Sequence, residues 1–343
     1  MRTLVLILVA FIGSWTTQAV AEDFCVDTTA ELYAALTAAA QSTAATNIRV
    51  HAGTYILTSR LNYLASSDLH LSGGWQGASG ACTSRSFNPD LTVLLGPANA
   101  PVMFVSLPAN GLTNFTATGI TFADGASTVL GTSACLTVNS ETDSNAEIRI
   151  EGNSFASCDS DSTPGTALAI RARSAVAYIV NNKITNNQGI GSSVNIDAFG
   201  SSDVFISNNT VAYNPGQSKT GMSISGQSTD AFTLVNNVLW GNGDANGQDL
   251  YIAAGTPAVL NSNHVGRNLP FPATTVNIAT SNSNPGFIGS TNLRPQRTAS
   301  IRNSGVTANG QLANDLDGAM RVQGGRIDRG AYEYSEVFAN GFE

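Results

Sequence analysis

Apolar and polar residues alternate in short runs through the middle of the chain. EIRIEG (147–152), AYIVN (177–181), DVFISN (203–208), AFTLVN (231–236) and AVLNS (258–262) each place every second side chain on one apolar face. That period of two predicts strands with one buried face. Each run leads into an asparagine: Asn153, Asn182, Asn209, Asn237 and Asn263, spaced 29, 27, 28 and 26 residues apart. A strand-and-turn unit recurring at that interval predicts a solenoid. Stacked in parallel, its rungs would align their inward side chains, and the turn amides would bond along the axis as a ladder. NIRVHAGTYIL (47–57), LHLSGGW (69–75), LTVLLG (91–96) and NFTATGITFADG (114–125) fit the same scheme nearer the start. Only TTAELYAALTAAAQ (28–41) has strong helical spacing, with Thr28 or Thr29 as N-cap and Glu31 in the first turn. This helix, within 22–45, is expected to cover the open N-terminal end of the coil and shield its strand edges.

The ends of the chain have their own texture. Residues 1–21 read as a cleavable secretory leader: Arg2, an apolar stretch over 4–12, and Ala19-Val20-Ala21 as the cleavage signal. The apolar stretch is too short to span a membrane, and no later run approaches the roughly 18 residues required. A secreted or cell-surface monomer is expected. The rungs fill 46–283, and irregular, turn-rich sequence follows over 284–334, with a tail at 335–343. Gly numbers 33 and Asn 32, whereas only 12% of residues are charged, a composition of turns rather than helices. Export favours disulfides among the four cysteines, and three connectivities are open. Pairing Cys25 with Cys82 ties the N-terminal segment to an early loop. Cys135 and Cys158 are nearly one repeat apart, which suits adjacent rungs.

The helix followed by IRVHAGTY, the LSGGW turn and the rung pattern resemble the pectate-lyase-like right-handed parallel β-helix superfamily over most of the chain. Asn284-Pro285-Gly286-Phe287, Ser300-Ile301-x-x-x-Gly305, Asp317-Gly318-x-x-Arg321 and Asp328-x-Gly330-Ala331-Tyr332-Glu333 resemble the choice-of-anchor Q region. LWGNGDANGQDL (239–250) is similar to a rung of that group. The resemblance implies an all-β, right-handed, single-stranded parallel β-helix closed by its C-terminal region. This chain departs from the pattern at Thr298-Ala299-Ser300-Ile301-Arg302, where Ser-Pro-Ala-Ile-Asp is common, and at Arg329, where an apolar residue is usual.

A formal charge of −8 and the lack of a Lys/Arg stripe argue against nucleic acid as a partner. An acidic glycan would need a local basic patch or bridging calcium. Enzymes of the resembled fold act on polysaccharides, yet none of the paired-Asp/GHG/RIK, QAVAL/DFIFG or NGGE sets is present. Arg171 and Arg173 alternate on one strand, with Asp197 one rung later and Asp230 one rung beyond. Aligned along the axis, Arg171, Asp197 and Asp230 would make a lyase-like or calcium site, with Arg173 a further candidate; otherwise they are solubilising charges. Asp159 and Asp161, and Asp244 and Asp249, have calcium-loop-like spacing without completing a known calcium motif. No cofactor is expected, with calcium left open. Trp75 and Trp240 are candidates to stack on sugar rings or to close the core. His51, His70 and His264 are scattered and read as structural. Arg321, Arg326, Asp328 and Glu333 read as a turn cluster sealing the last rung. The expected function is non-enzymatic binding of glycan or another surface along the long face; the alternative is a polysaccharide lyase or glycoside hydrolase acting on a polysaccharide, an acidic one in particular.

Overall fold

The structure, a computed structural model, describes residues 21–335 apart from 110, 130–131, 142–143, 162–164, 217–220, 245–246, 268–269 and 324. The expected leader, all but its last residue, and the VFANGFE tail lie outside the described residues. The chain is mostly strand. Three long sheets stack rung on rung, and every pairing between their rungs is parallel, consistent with an all-β solenoid. The first sheet runs from Glu22–Val26 through Glu147–Glu151 and Val176–Val180 to Thr275–Asn277. The second begins at Gly53–Ile56 and the third at Leu61–Leu64.

Register makes the core. Ile150, Ile179, Ile206, Leu234 and Leu260 are successive partners in the first sheet. Phe122, Phe155, Ile184, Val211 and Leu239 align in the second, with the two phenyl rings stacked at 5.2 Å. Val105, Val138, Ile170, Ile196, Ile224 and Ile252 align in the third. All are buried, each contributing about 1.5–3 kcal/mol by removal from water. The helix α1 (Thr29–Gln41) has a complete capping box between Thr28 and Glu31. Its Leu32, Ala35, Leu36 and Ala39 join the same core beside the earliest strands. Cys25 is bonded to Cys82 and Cys135 to Cys158.

The turn asparagines are bonded one to the next. The amide nitrogen of Asn182 donates to Asn209 Oδ1 (2.9 Å) and to Ile150 O (2.7 Å); the Asn182 backbone N–H also donates to Asn209 Oδ1 (2.9 Å). The same set recurs from Asn153 to Asn263. Each ladder residue follows a left-handed one: Gly152, Asn181, Asn208, Asn236 and Ser262, with φ between 52° and 63°. Asn is the side-chain-bearing residue that enters this region most readily, which explains the doubled asparagines. A second ladder, not anticipated from the sequence, joins Asn187, Asn214 and Asn242 at the next turn.

The region from Asn284 onward turns back and lies along the flank of the coil. Asn236 Nδ2 donates to Val306 O (2.6 Å) and its Oδ1 accepts from Val306 N (2.9 Å). Asn208 Nδ2 reaches Asp328 O, and Asn181 bonds both Asn314 O and the Arg321 guanidinium. In these three doubled pairs the first asparagine thus faces the C-terminal region and the second faces the ladder. Gly330 (φ 91°) lies so close to Thr210 and Val238 that a Cβ would meet them at 2.6 and 3.0 Å. Phe287, Leu293, Ile301, Leu316 and Tyr332 form a satellite core with Ala212 and Val238 of the second sheet. The contacts of Arg321, Asp328 and Glu333 therefore correct the expected end seal: they fasten a flank, and the last rung is touched through Arg329, which bonds Asn263 O and Ser281 Oγ. Arg321 is fully buried and donates to Glu333 Oε1 (3.1 Å). Asp315, Asp328 and Glu333 are also buried, three carboxyls around one guanidinium. Burial pushes Glu333 up to about 8 and raises Asp315 and Asp328 as well.

Two outcomes follow for stability. Asn209→Ala removes both donors and the shared acceptor of one rung, leaving several desolvated groups unmatched, and is expected to lower the unfolding free energy in urea by roughly 3 kcal/mol or more. Asn209→Asp should cost a similar amount, because a carboxylate cannot donate to Ile179 O; a loss of less than about 1 kcal/mol in both would contradict the ladder's role. A carboxyl raised on folding contributes stability that is fully present below its unfolded value of 4.5 and is lost as pH rises toward about 8. The difference in melting temperature between wild type and Glu333→Gln should therefore change across that window, the wild type losing more as pH rises; parallel curves would show that Glu333 does not titrate there.

Candidate functional site

The cleft that best combines depth with chemistry lies on the outer face of the first sheet and measures ≈470 Å³. Its floor is a register column: His70 pairs with Thr116, and Thr116 with Arg149. Thr118 and Glu151 form the adjacent column. One wall is Arg85 and Phe87, on the segment that pairs antiparallel with the end of the Leu69–Gln76 strand. The other wall is Leu312, Ala313, Asn314 and Asp315 of the C-terminal region. Segments far apart in sequence meet because the chain folds back along the flank.

Charge in the cleft is arranged unevenly. Arg149 donates to Glu147 Oε1 (2.5 Å) and Glu151 Oε1 (2.8 Å) and lies 4.1 Å over the Tyr178 ring. Burial works against its charge, but the two carboxylates outweigh that and hold its pKa above the usual range. Arg85 is held by carbonyls instead. Its Nε donates to Gly73 O (2.9 Å) and its Nη2 to Thr118 O (3.0 Å). Its guanidinium carbon lies 5.0 Å from the Phe87 ring and 5.9 Å from the Trp75 ring. Burial lowers the pKa of Arg85. Desolvation within the cleft, then the charges of Arg85 and Arg49, hold the pKa of His70 below its usual value. Phe87 is 50% exposed. Of the two lining carboxylates, Glu151 is tied to Arg149. Asp315 accepts backbone N–H groups from Asp317, Ala319 and Glu333. Both are engaged in hydrogen bonds. Thr116, Thr118, Arg149 and Arg85 offer polar groups beside an open aromatic face.

The residues singled out from the sequence lie elsewhere. Arg171 and Asp197 are register partners in the third sheet. Asp197 accepts from Asn195 Nδ2 (2.9 Å) and bonds Ser225 Oγ, while Arg173 lies 5.4 Å from the Phe199 ring. Asp230 does not join them: it is buried in a turn, where its oxygens accept the backbone N–H groups of Ser202 (2.9 Å) and Gln227 (2.7 Å). Asp249 is likewise buried in turn hydrogen bonds. Its Oδ1 ends the second ladder by accepting twice from Asn242 (2.8 Å each), and its Oδ2 accepts from Arg267 N (2.8 Å). Asp244, Asp159 and Asp161 are exposed, and among the described residues the acidic candidates do not converge in threes. Cys25, His51 and Cys82 do converge, but a disulfide removes the thiolates a metal requires. Trp75 is half-buried between Arg49 and Arg85, with Nε1 donating to Ser72 Oγ (2.9 Å). Trp240 packs against the satellite core and beside His264. Sequence reasoning passed over Arg85 and Phe87; the SRSF stretch that carries them has no periodic or motif signal, although His70 sits in a recognisable strand.

No family model matches the chain, and no curated protein or solved structure matches it.

The titration of His70 tests this geometry. Its ring-proton resonances should shift with a midpoint below 6.5, and Arg85→Gln should move that midpoint upward by removing a neighbouring positive charge. An unchanged midpoint would place the guanidinium away from the imidazole.

Proposed function

We propose that this is an exported, non-enzymatic protein that binds glycan in the cleft between His70, Phe87 and Arg149. The observation that carries the reading is the half-exposed Phe87 ring, backed by Arg85 and facing a floor of hydroxyl and charged groups. A ring face excludes water from the apolar side of a sugar while the floor bonds its hydroxyls. A hydrolase needs two free carboxylates flanking the scissile bond; here Glu151 and Asp315 are already engaged. On this reading the fold is a right-handed, single-stranded parallel β-helix of the pectate-lyase-like kind, helix α1 covers its N-terminal end, and 284–334 serves as a choice-of-anchor Q region. Export through the 1–21 leader agrees with the two disulfides, and no helix among the described residues is long and apolar enough to cross a membrane.

The test is binding to an array of purified polysaccharides. Phe87→Ala should weaken capture about tenfold, the size of one lost aromatic contact, whereas Tyr251→Ala, exposed near the far end of the coil, should not. Equal binding by the Phe87 variant moves the site elsewhere. New reducing ends, or the ultraviolet absorbance of unsaturated uronates, would make the protein an enzyme.

A further inference from the structure

Arg85 stands apart from the other cations around the cleft. Arg49 pairs with Asp23 (3.1 Å), and Arg149 pairs with Glu147 and Glu151. Arg85 is half-buried, yet no described carboxylate lies within ion-pair distance of it. Two of its nitrogens are fixed by Gly73 O, Thr118 O and Thr118 Oγ1, and Nη1 donates to no described residue. The Trp75 and Phe87 rings hold the guanidinium in place without neutralising it. A desolvated cation with a free donor edge, fixed before any ligand arrives, is an incomplete ion pair.

We infer that the missing half is supplied by the ligand: the cleft takes a glycan bearing an oxyanion substituent, with Arg85 Nη1 as its donor and His70 beside it. This rests on the reading of the cleft as a glycan site and names the class of glycan. Carboxylate, sulfate and phosphate share the required chemistry, two or more acceptor oxygens on one centre. The chain as a whole repels such a ligand, since its formal charge is −8. Any preference for an anionic polymer must therefore be local. Of the acidic groups lining the cleft, Glu151 shares the Arg149 guanidinium with Glu147, and Asp315 is covered by backbone donors. The contact is direct and needs no bridging cation.

The experiment compares dextran, carboxymethyl-dextran and dextran sulfate, matched in length, against the full chain recovered after export. Affinity electrophoresis is run with and without chelator. Wild type should bind at least one anionic polymer about tenfold or more tightly than dextran, unchanged by chelator and weakened by salt. Arg85→Met should abolish that preference and Arg85→Lys should retain part of it. The two anionic arms separate carboxylate from sulfate as the source of the oxyanion. Equal binding to all three polymers that is still weakened by Phe87→Ala would overturn the anionic reading and leave the glycan site standing. A preference that survives in Arg85→Met, or that vanishes with chelator, would also overturn it. Failure to bind any of the three would end both readings for this class of polymer. The wild-type comparison decides the matter even if the Arg85 variants do not fold.

Discussion

A buried turn amide has two donors and an acceptor that takes two bonds, and the coil is organised around satisfying all of them at once. Each interior ladder asparagine gives one hydrogen to the carbonyl of the previous rung and one to the next asparagine, while its oxygen accepts from the preceding turn and the preceding amide. The requirement fixes more than the turn. It holds successive rungs in register, and register places Ile over Ile and Phe over Phe in the core. Hydrophobic burial supplies most of the driving force, but it tolerates small slips; the amides do not, because a slipped ladder leaves desolvated donors without acceptors.

The same turns also dock the C-terminal region. A left-handed residue must precede each ladder residue, and asparagine meets that need while keeping a polar side chain directed outward. Asn181, Asn208 and Asn236 use it to bond the returning chain. One local backbone constraint therefore serves core register on one side and flank docking on the other. The cleft is a product of that docking, since Leu312 to Asp315 form one of its walls.

How much of this was legible in the sequence depends on how local the physics is. The strands, the main ladder and the N-terminal helix rest on short-range patterns, and those patterns were visible at 147–152 or 28–41. Asn187, Asn214 and Asn242 carried the same spacing signal, but were overshadowed by the doubled asparagines just before them. Asp230 was singled out as a possible site residue and Asp249 for its calcium-loop-like spacing because sequence does not disclose burial; both are buried acceptors for turn N–H groups. The cleft was the least legible. Arg85 and Phe87 sit in an irregular stretch, and the opposite wall arrives from more than two hundred residues away, so no local period could have joined them.

Asp249 gives the second ladder a direction and an end. Every amide in that column donates toward the later rungs, so the column presents accumulated positive character at its final turn, where a carboxylate now sits. A carboxylate accepts twice on one oxygen and has nothing to pass on. In the language of polymers it is a chain terminator for this column: its other oxygen is closed by the backbone N–H of Arg267 instead of by another side-chain amide. The choice of one acid over its amide thus ends this one column at Asn242, while the first ladder runs on to Asn263, at a position where the two side chains have almost the same shape.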